Sequence, residues 1–270
     1  MLSLFTIIQN GVEFLPVHVE NIRASGLDFK WVFVEGVALA VKDTSWCRDF
    51  PLEMCKTHPD GALGSVDGTH EQLMRLASTD PRFVLITNAD AWNGKTAMCN
   101  AALTQLPRGP LMQVDADEVW TAQQFRDIHD MLDVLRAGRA IRFRCEYWIT
   151  DRHVIITRGT YGNHHGEWVR AWAWGGEPFA AHEPPTISGY MTLDCCGRND
   201  LVFKHYAYVT PQSVTFKEKY YGYAGAVAAW NNMRMNAIRG YVRDWLPWVK
   251  DNARFELSED CTYRSPLVYH

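Results

Sequence analysis

Apolar runs and amphipathic stretches alternate along the first half of the chain, and that order leaves few folds open. Leu2 to Ile8 is a short apolar run closed by the turn signal Gln9-Asn10-Gly11, which predicts a buried strand. Glu13 to Ser25 places Phe14, Val17, Val19 and Ile22 ahead of Gly26, the pattern of a helix with Pro16 in its first turn. Trp31 to Val37 (WVFVEGV) is rich in β-branched and aromatic residues and predicts a second strand. Residues 42–68 carry Lys, Asp, Thr, Pro and Gly without periodicity and predict a long loop. Thr69-His-Glu-Gln72 has the spacing of a capping box opening a helix to Ser78, and Arg82 to Thr87 predicts a strand. After the Asn93-Gly94 turn come a predicted helix over Lys95 to Leu106 and a buried strand over Pro110 to Val114. Thr121-Ala-Gln-Gln124 then caps a helix reaching Leu135. Strand and helix repeated in this order predict an α/β fold with a mostly parallel sheet and helices on both faces, because parallel neighbours need crossover connections.

Beyond Gly138 the pattern changes. Ala140 to Ile149, His153 to Thr157 and Trp168 to Trp174 predict strands with short connections, a mixed or antiparallel extension of the sheet. Trp168, Trp172 and Trp174 recur at period two and are expected on one strand face, in the core. A long helix is predicted over Ser213 to Ala237 and a second over Tyr241 to Asn252. Arg234, Arg239 and Arg243 with Tyr241 and Trp245 fit the solvated face of such helices, or contacts to an anionic acceptor such as DNA phosphates. No Gly/Ser/Pro-rich linker interrupts the 270 residues, so one continuous domain over 1–270 is expected.

Composition narrows the class of partner. A formal net charge of −4 supplies no global positive field to gather a polyanion. The seven cysteines contain no CxxC pair, which speaks for a reducing compartment rather than a disulfide framework or a zinc ribbon. The run Met1 to Ile8 lacks a basic leader, and no stretch of about 18 apolar residues occurs, so no membrane span and a cytoplasmic location are expected.

The sharpest chemical feature is Asp115-Ala-Asp117-Glu118, directly after the buried strand Pro110 to Val114. Ligands of parallel sheets bind outside the carboxyl ends of the strands. Period-two geometry sends Asp115 and Asp117 to one side, where a divalent cation relieves their mutual repulsion. The bland alternative is a solvated acidic turn at a helix N-terminus. Lys95 opens a predicted helix, where backbone N–H groups already favour phosphate, and is equally readable as a solvated lysine. His164-His165-Gly166 has no matching acid or cysteine pattern and reads as loop.

Two stretches carry a family resemblance. Asn93-Gly94-Lys95-Thr-Ala-Met-Cys-Asn100-Ala-Ala-Leu103, followed by Leu111-Met-Gln-Val-Asp115-Ala-Asp117-Glu118, resembles family 2 glycosyltransferases of the GT-A fold across residues 1–118. The chain departs from that pattern at Cys99, where many members have Arg, and at Glu35, where Asp is usual. The Q-x-x-R-W motif of processive polymer synthases is absent. More loosely, Ala181-His182-Glu183-Pro184-Pro185, Lys204-His205-Tyr206-Ala-Tyr208 and Phe216-Lys-Glu-Lys219-Tyr220 resemble lipopolysaccharide core glycosyltransferases of the same family.

The resemblance implies a single GT-A (Rossmann-like) domain, with residues 1–118 as the nucleotide-sugar half and 119–270 as the acceptor half with C-terminal helices. It implies an inverting hexosyl transfer from a UDP-sugar, UDP-glucose by default, to a saccharide or lipid-linked saccharide hydroxyl. Glu183 would be the catalytic base, and Asp115, Asp117 and His205 would hold Mn²⁺ or Mg²⁺. Glu35, Lys95, Asn100, Asp115 and Asp117 would bind the donor, although Glu35 and Asn100 are also readable as packing residues. Rival readings are a phage-type DNA glycosyltransferase acting on 5-hydroxymethylcytosine, a metal-dependent phosphohydrolase or nucleotidyltransferase, and a non-catalytic carbohydrate-binding protein.

Overall fold

Strand β1 (Leu2–Ile8) is the axis around which the chain is wound. It runs between two parallel neighbours and is buried along nearly its whole length. A strand covered on both faces reads as a continuous apolar run, which is what Leu2, Leu4, Phe5 and Ile8 supply. The computed structural model describes residues 1–39, 52–150, 153–155, 168–236, 240–242 and 255–259. Positions 42–51 of the expected loop, 156–157, His164, His165, Arg239, Arg243 and Trp245 lie outside the described residues.

After β1 come α1 (Leu15–Ser25), β2 (Phe29–Glu35), the short hairpin strands β3 (Lys56–Thr57) and β4 (Leu63–Gly64), α2 (Thr69–Thr79) and β5 (Phe83–Ile86). Then follow α3 (Lys95–Leu103), β6 (Gly109–Gln113), β7 (Glu118–Val119) and α4 (Ala122–Asp133). The second half holds β8 (Arg139–Arg142), β9 (Cys145–Trp148), β10 (His153–Ile155), β11 (Val169–Trp174), β12 (Phe179–His182), β13 (Pro185–Ile187), β14 (Met191–Asp194) and β15 (Phe203–His205). Helices α5 (Pro211–Tyr220) and α6 (Ala226–Asn236) and strands β16 (Gly240–Val242) and β17 (Phe255–Glu259) complete it.

Seven strands form the main sheet in the order β14-β8-β11-β6-β1-β2-β5. The block β6-β1-β2-β5 is parallel, β11 enters antiparallel to both β6 and β8, and β14 lies parallel to β8. The fold is therefore α/β with a mostly parallel, mixed sheet, as the alternation predicts. Successive side chains of a strand take opposite faces. Leu4, Trp31 and Phe33 pack with Leu15 and Ile22 of α1, Leu73 of α2 and Phe125 and Ile128 of α4. Phe5, Val32 and Val34 pack on the other face with Met98, Cys99 and Ala102 of α3. Among the described residues no helix is long and apolar enough to cross a membrane.

Several expectations are corrected. The run Ala140 to Ile149 is two strands, with β8 in the main sheet and β9 in a second, six-stranded sheet ordered β16-β17-β10-β9-β15-β7. Alternating burial continues through Phe143, so periodicity carries no mark of the change of sheet. Thr69 is the first residue of α2 rather than its cap. Gly68 takes the cap position, and the Thr69 hydroxyl donates to Asp67 and accepts from the Gly11 N–H at 2.9 Å. The helix predicted over Ser213 to Ala237 is broken between α5 and α6 by Gly222 and Gly225, whose φ values of 67° and 83° a helix does not accommodate. Gly240–Val242, expected to include the start of a helix, is a strand paired with β17. Trp168 parts from Trp172 and Trp174, because a register shift between Val169 and Ala171 puts it with the opposite core cluster. The capping box at Thr121 and Gln124 is present.

Candidate active site

At β1 the strand order reverses, β2 lying on one side and β6 on the other, and chain segments leaving the carboxyl ends diverge there to open a crevice. Gln9 to Phe14 after β1, Gly36 and Ala38 after β2, and Asp115 to Asp117 after β6 all line one cavity of about 1620 Å³. Glycine is required at position 36, where φ is 135° and a Cβ would come 2.8 Å from the Trp92 indole nitrogen.

The acidic turn is held from three sides. The Nε2–H of His18 in α1 donates to the Ala116 carbonyl at 2.7 Å, Tyr206 N–H donates to the Asp117 carbonyl at 2.7 Å, and Glu118 N–H closes on Asp115 at 3.0 Å. β7 pairs antiparallel with β15, setting His205 opposite Glu118, so that His205 Nε2 lies 3.4 Å from Asp117 Oδ2. Sheet pairing thus brings together two residues 88 positions apart.

The acids of the turn meet cations from other elements. Arg170, in β11, is buried and donates to both oxygens of the fully buried Glu118 at 2.7–3.0 Å, and to Asp115 at 3.1 Å. Burial works against the guanidinium charge, but the two carboxylates more than offset it and raise its pKa further. Burial would raise the Asp115 carboxyl, and Arg170 with His182 and Gln113 holds it below its ordinary value. Asp117 is likewise held down, against burial, by His205 and by Lys217 of α5, whose Nζ is 3.9 Å away. Burial in turn lowers the Lys217 ammonium, opposed by Asp117. Glu13 also lines the cavity, and burial, Asp67 and Asp117 push its carboxyl up to about 7.

Glu183 sits in the turn between β12 and β13 and pairs with Lys95, the first residue of α3. Burial would raise Glu183, but the Lys95 ammonium keeps it below the usual carboxylate range. The Lys95 Nζ also donates to the Tyr221 hydroxyl at 2.7 Å. Asn100, one helical turn further along α3, brackets the backbone of Phe179 in β12, donating to its carbonyl at 3.0 Å and accepting its N–H at 2.8 Å. That clamp docks the hairpin carrying Glu183 onto α3.

Of the residues singled out by sequence, Lys95, Asp115, Asp117, Glu183 and His205 line the cavity together. Asn100 stands outside it as a clamp, and Glu35 lies outside it too, buried against Ser65 N–H at 3.0 Å and His70 Nδ1 at 2.7 Å. Arg170, Glu13 and Tyr221 were not singled out, and Lys217 entered only as part of the stretch Phe216-Lys-Glu-Lys219-Tyr220, with no role given to it. Arg170 carried a signal, a charge inside the apolar run WVRAWAW.

The donors present partly fit a divalent ion. Asp117 Oδ2 and His205 Nε2 are separated by 3.4 Å, close to the about 3 Å between neighbouring ligands on one ion with bonds near 2.1 Å. Each Asp is about a quarter exposed to the cavity, Asp115 25% and Asp117 26%. Asp115 is engaged by Arg170 and by Gln113 at 2.7 Å. Among the described residues no set uniting Asp115, Asp117 and His205 has its ligand atoms within 4.8 Å of one another. Asp117 and His205 are the pair already at ligand spacing, and Asp115 is held in its ion pair with Arg170.

No protein-family model and no curated protein matches the chain. Solved structures similar to it include the mannosyltransferase PcManGT from Pyrobaculum calidifontis in complex with GDP-Man and Mn²⁺, at 15% identity and a TM-score of 0.45, covering 76% of this chain and 56% of that one. S. aureus TarS 1–349 in complex with UDP is similar at 9% identity and a TM-score of 0.45, covering 85% and 64%. The same protein in complex with UDP-GlcNAc gives 14% identity and a TM-score of 0.37, covering 59% and 36%. The chain spans less than two thirds of the length of each. With every TM-score below 0.5, these likenesses decide neither substrate nor mechanism for this chain, and the α/β class stands on the sheet order itself.

Proposed function

We propose that the chain transfers a sugar from a nucleoside-diphosphate donor to a hydroxyl acceptor with the help of a divalent cation. One observation carries the reading: Asp115, Asp117, Glu183, His205 and Lys95, spread over 110 positions, line a single cavity at the reversal point of the sheet. The nucleoside occupies the crevice between Gln9–Gly11 and Gly36–Ala38, the place where parallel sheets take nucleotides. Lys95 and Lys217, facing the acids from α3 and α5, move onto the diphosphate when it enters.

A hydroxyl is a poor nucleophile until its proton is taken in the transition state. Glu183, ionised in its pair with Lys95 and released as Lys95 turns to the diphosphate, is the group placed to accept that proton while the acceptor oxygen bonds to the anomeric carbon and the bond to the diphosphate breaks. Asp117 and His205, with Asp115, hold the cation, which when bound stabilises the negative charge developing on the departing diphosphate. The half-buried rings of Tyr221 and Tyr223, stacked at 5.4 Å, offer an apolar face to a saccharide acceptor. UDP-glucose is the first donor to test.

A thermal-shift screen of UDP- and GDP-sugars with and without Mn²⁺ tests the reading, since a ligand bound only by the folded state raises Tm. The expected result is a Mn²⁺-dependent rise with at least one nucleotide sugar, abolished by Asp117→Asn. No rise with any nucleotide sugar, or a rise indifferent to Asp117→Asn, overturns it.

A further inference from the structure

A second cluster of ligand-type side chains lies behind the nucleotide wall, apart from the cavity acids. Glu35 ends β2, His58 follows β3, and His70 stands in the first turn of α2; all three are buried, and their ligand atoms lie within 4.8 Å of one another. It is the group of three or more such residues that converges among the described residues.

The hydrogen bonds around it orient both imidazoles. His58 Nε2 lies 3.0 Å from the Ser65 carbonyl, which can only accept, so Nε2 carries the hydrogen and Nδ1 is left with its lone pair. That Nδ1 is buried, on a side chain 1% exposed, and has no hydrogen-bond partner; its nearest acid is Glu71 Oε1 at 3.7 Å. His70 Nε2 faces Asp60 Oδ2 at 3.3 Å, while its Nδ1 meets Glu35 Oε2 at 2.7 Å. His58 therefore turns a lone-pair nitrogen toward the cluster, while His70 Nδ1 points into it and donates to the Glu35 carboxylate a hydrogen that a bound cation would replace. Metal-ligating histidines are oriented by their second nitrogen, as the Ser65 carbonyl orients His58. Gly64 makes room for the carboxylate: a Cβ there would stand 2.8 Å from Glu35 Oε1.

We propose that Glu35, His58 and His70 form a structural site for a borderline divalent transition ion of the Zn²⁺ class, with Glu71 or water completing the shell. Two imidazoles and one carboxylate suit Zn²⁺ and disfavour the oxygen-seeking Mg²⁺ and Ca²⁺. The rings stack with centroids 3.8 Å apart and 20° between their planes, so the ion enters by opening that stack about the end of His58 held by Ser65. Its effect is mechanical. The segment it fastens is knit to the end of β1 through Asn10, whose N–H donates to Ser65 Oγ at 2.9 Å and whose side chain accepts from Val66 N–H at 2.8 Å. Met54, Val66 and Asp67 of that segment line the cavity. The ion pins one wall of the nucleotide crevice and takes no part in chemistry there.

The test needs no substrate. Wild-type protein stripped with a chelator and freed of it is titrated calorimetrically with Zn²⁺ alone, and its metal content is measured after re-dialysis. Retention of about one equivalent is expected, with a rise in Tm and, on replacement by Co²⁺, visible absorption of a low-coordinate nitrogen–oxygen site. His58→Gln should lose at least about 100-fold in Zn²⁺ affinity, and the outer-acceptor variant Asp60→Asn about 10- to 100-fold with its fold intact. Asp117→Asn should leave Zn²⁺ retention unchanged, which separates this site from the proposed catalytic one. Failure of folded wild-type protein to retain Zn²⁺, or retention that survives His58→Gln and disappears in Asp117→Asn, overturns the assignment.

Discussion

Two clusters of histidine and carboxylate stand at the carboxyl edge of the same sheet, and they answer their negative charge differently. Around Asp115 and Asp117 the acids Asp115, Asp117, Glu118 and Glu183 each face a cation from a distant element: Arg170 from β11, Lys95 from α3 or Lys217 from α5. Around Glu35 the bonded partners are the His70 imidazole and the Ser65 N–H, with the His58 ring close by, and Lys56 reaches only Glu71, at 3.1 Å. A pocket that takes up and releases a polyanion keeps long, movable cations and access to solvent. A cluster that keeps a resident ion closes over it with short, oriented rings. The difference lies less in residue type than in which charges can move.

The comparison is broken most sharply at Glu183. Glu183→Gln should lower transfer by about 10²- to 10⁴-fold while leaving Zn²⁺ retention untouched. A variant that kept a third or more of wild-type kcat would remove Glu183 from the chemistry.

Arg170→Met comes next, because it strands the fully buried Glu118 without its guanidinium. A loss of about 3–5 kcal/mol in urea unfolding is expected, and the double variant Arg170→Met/Glu118→Gln should recover much of it. A single-variant loss below about 1 kcal/mol would mean that water already reaches Glu118.

Acidity probes the same pocket more gently. Burial lowers both His18 and His182 from 6.5 to about 4. The unfolded chain therefore takes up protons near 6.5 that the folded chain refuses until about 4. The stability these neutral rings contribute is complete above 6.5 and lost as pH falls toward 4, at about 1.4 kcal/mol per unit for each ring. Glu13, raised to about 7, has the opposite sign, its contribution being present below 4.5 and lost as pH rises through 7. His18→Gln should flatten the fall in Tm between pH 6.5 and 4, and an unchanged slope would assign that fall to other groups.

The smallest effect is expected at Asn100, which touches neither cluster. Asn100→Ala removes two hydrogen bonds to Phe179 and should cost about 1–3 kcal/mol, with kcat falling further than donor affinity because the hairpin carrying Glu183 loosens. An equal fall in both would place Asn100 in donor binding instead.

Much of the scaffold was legible because its signals are local. The continuous apolar run of β1, the Thr121-to-Gln124 capping box and the acid pair following β6 each fit within a few residues. Local signals failed where a tertiary partner competed. Thr69 turned its hydroxyl to Asp67 and Gly11 instead of capping α2, and Trp168 crossed to the other core cluster through an irregularity in β11 that alternation does not announce. His58 and His70 escaped notice because their spacing to Glu35 matches no ligand motif.

By itself, the order of residues determined the main strands and helices of the first half, their alternation, and the placing of Asp115 and Asp117 at the end of a buried strand, because backbone preference and side-chain period act over a few positions. Only the tertiary structure decided which cation each acid would meet, that His205 would lie beside Asp117, and that Glu35 would turn away from the cavity toward two imidazoles. Those outcomes depend on groups 23 to 100 positions apart, brought together by sheet pairing and helix packing.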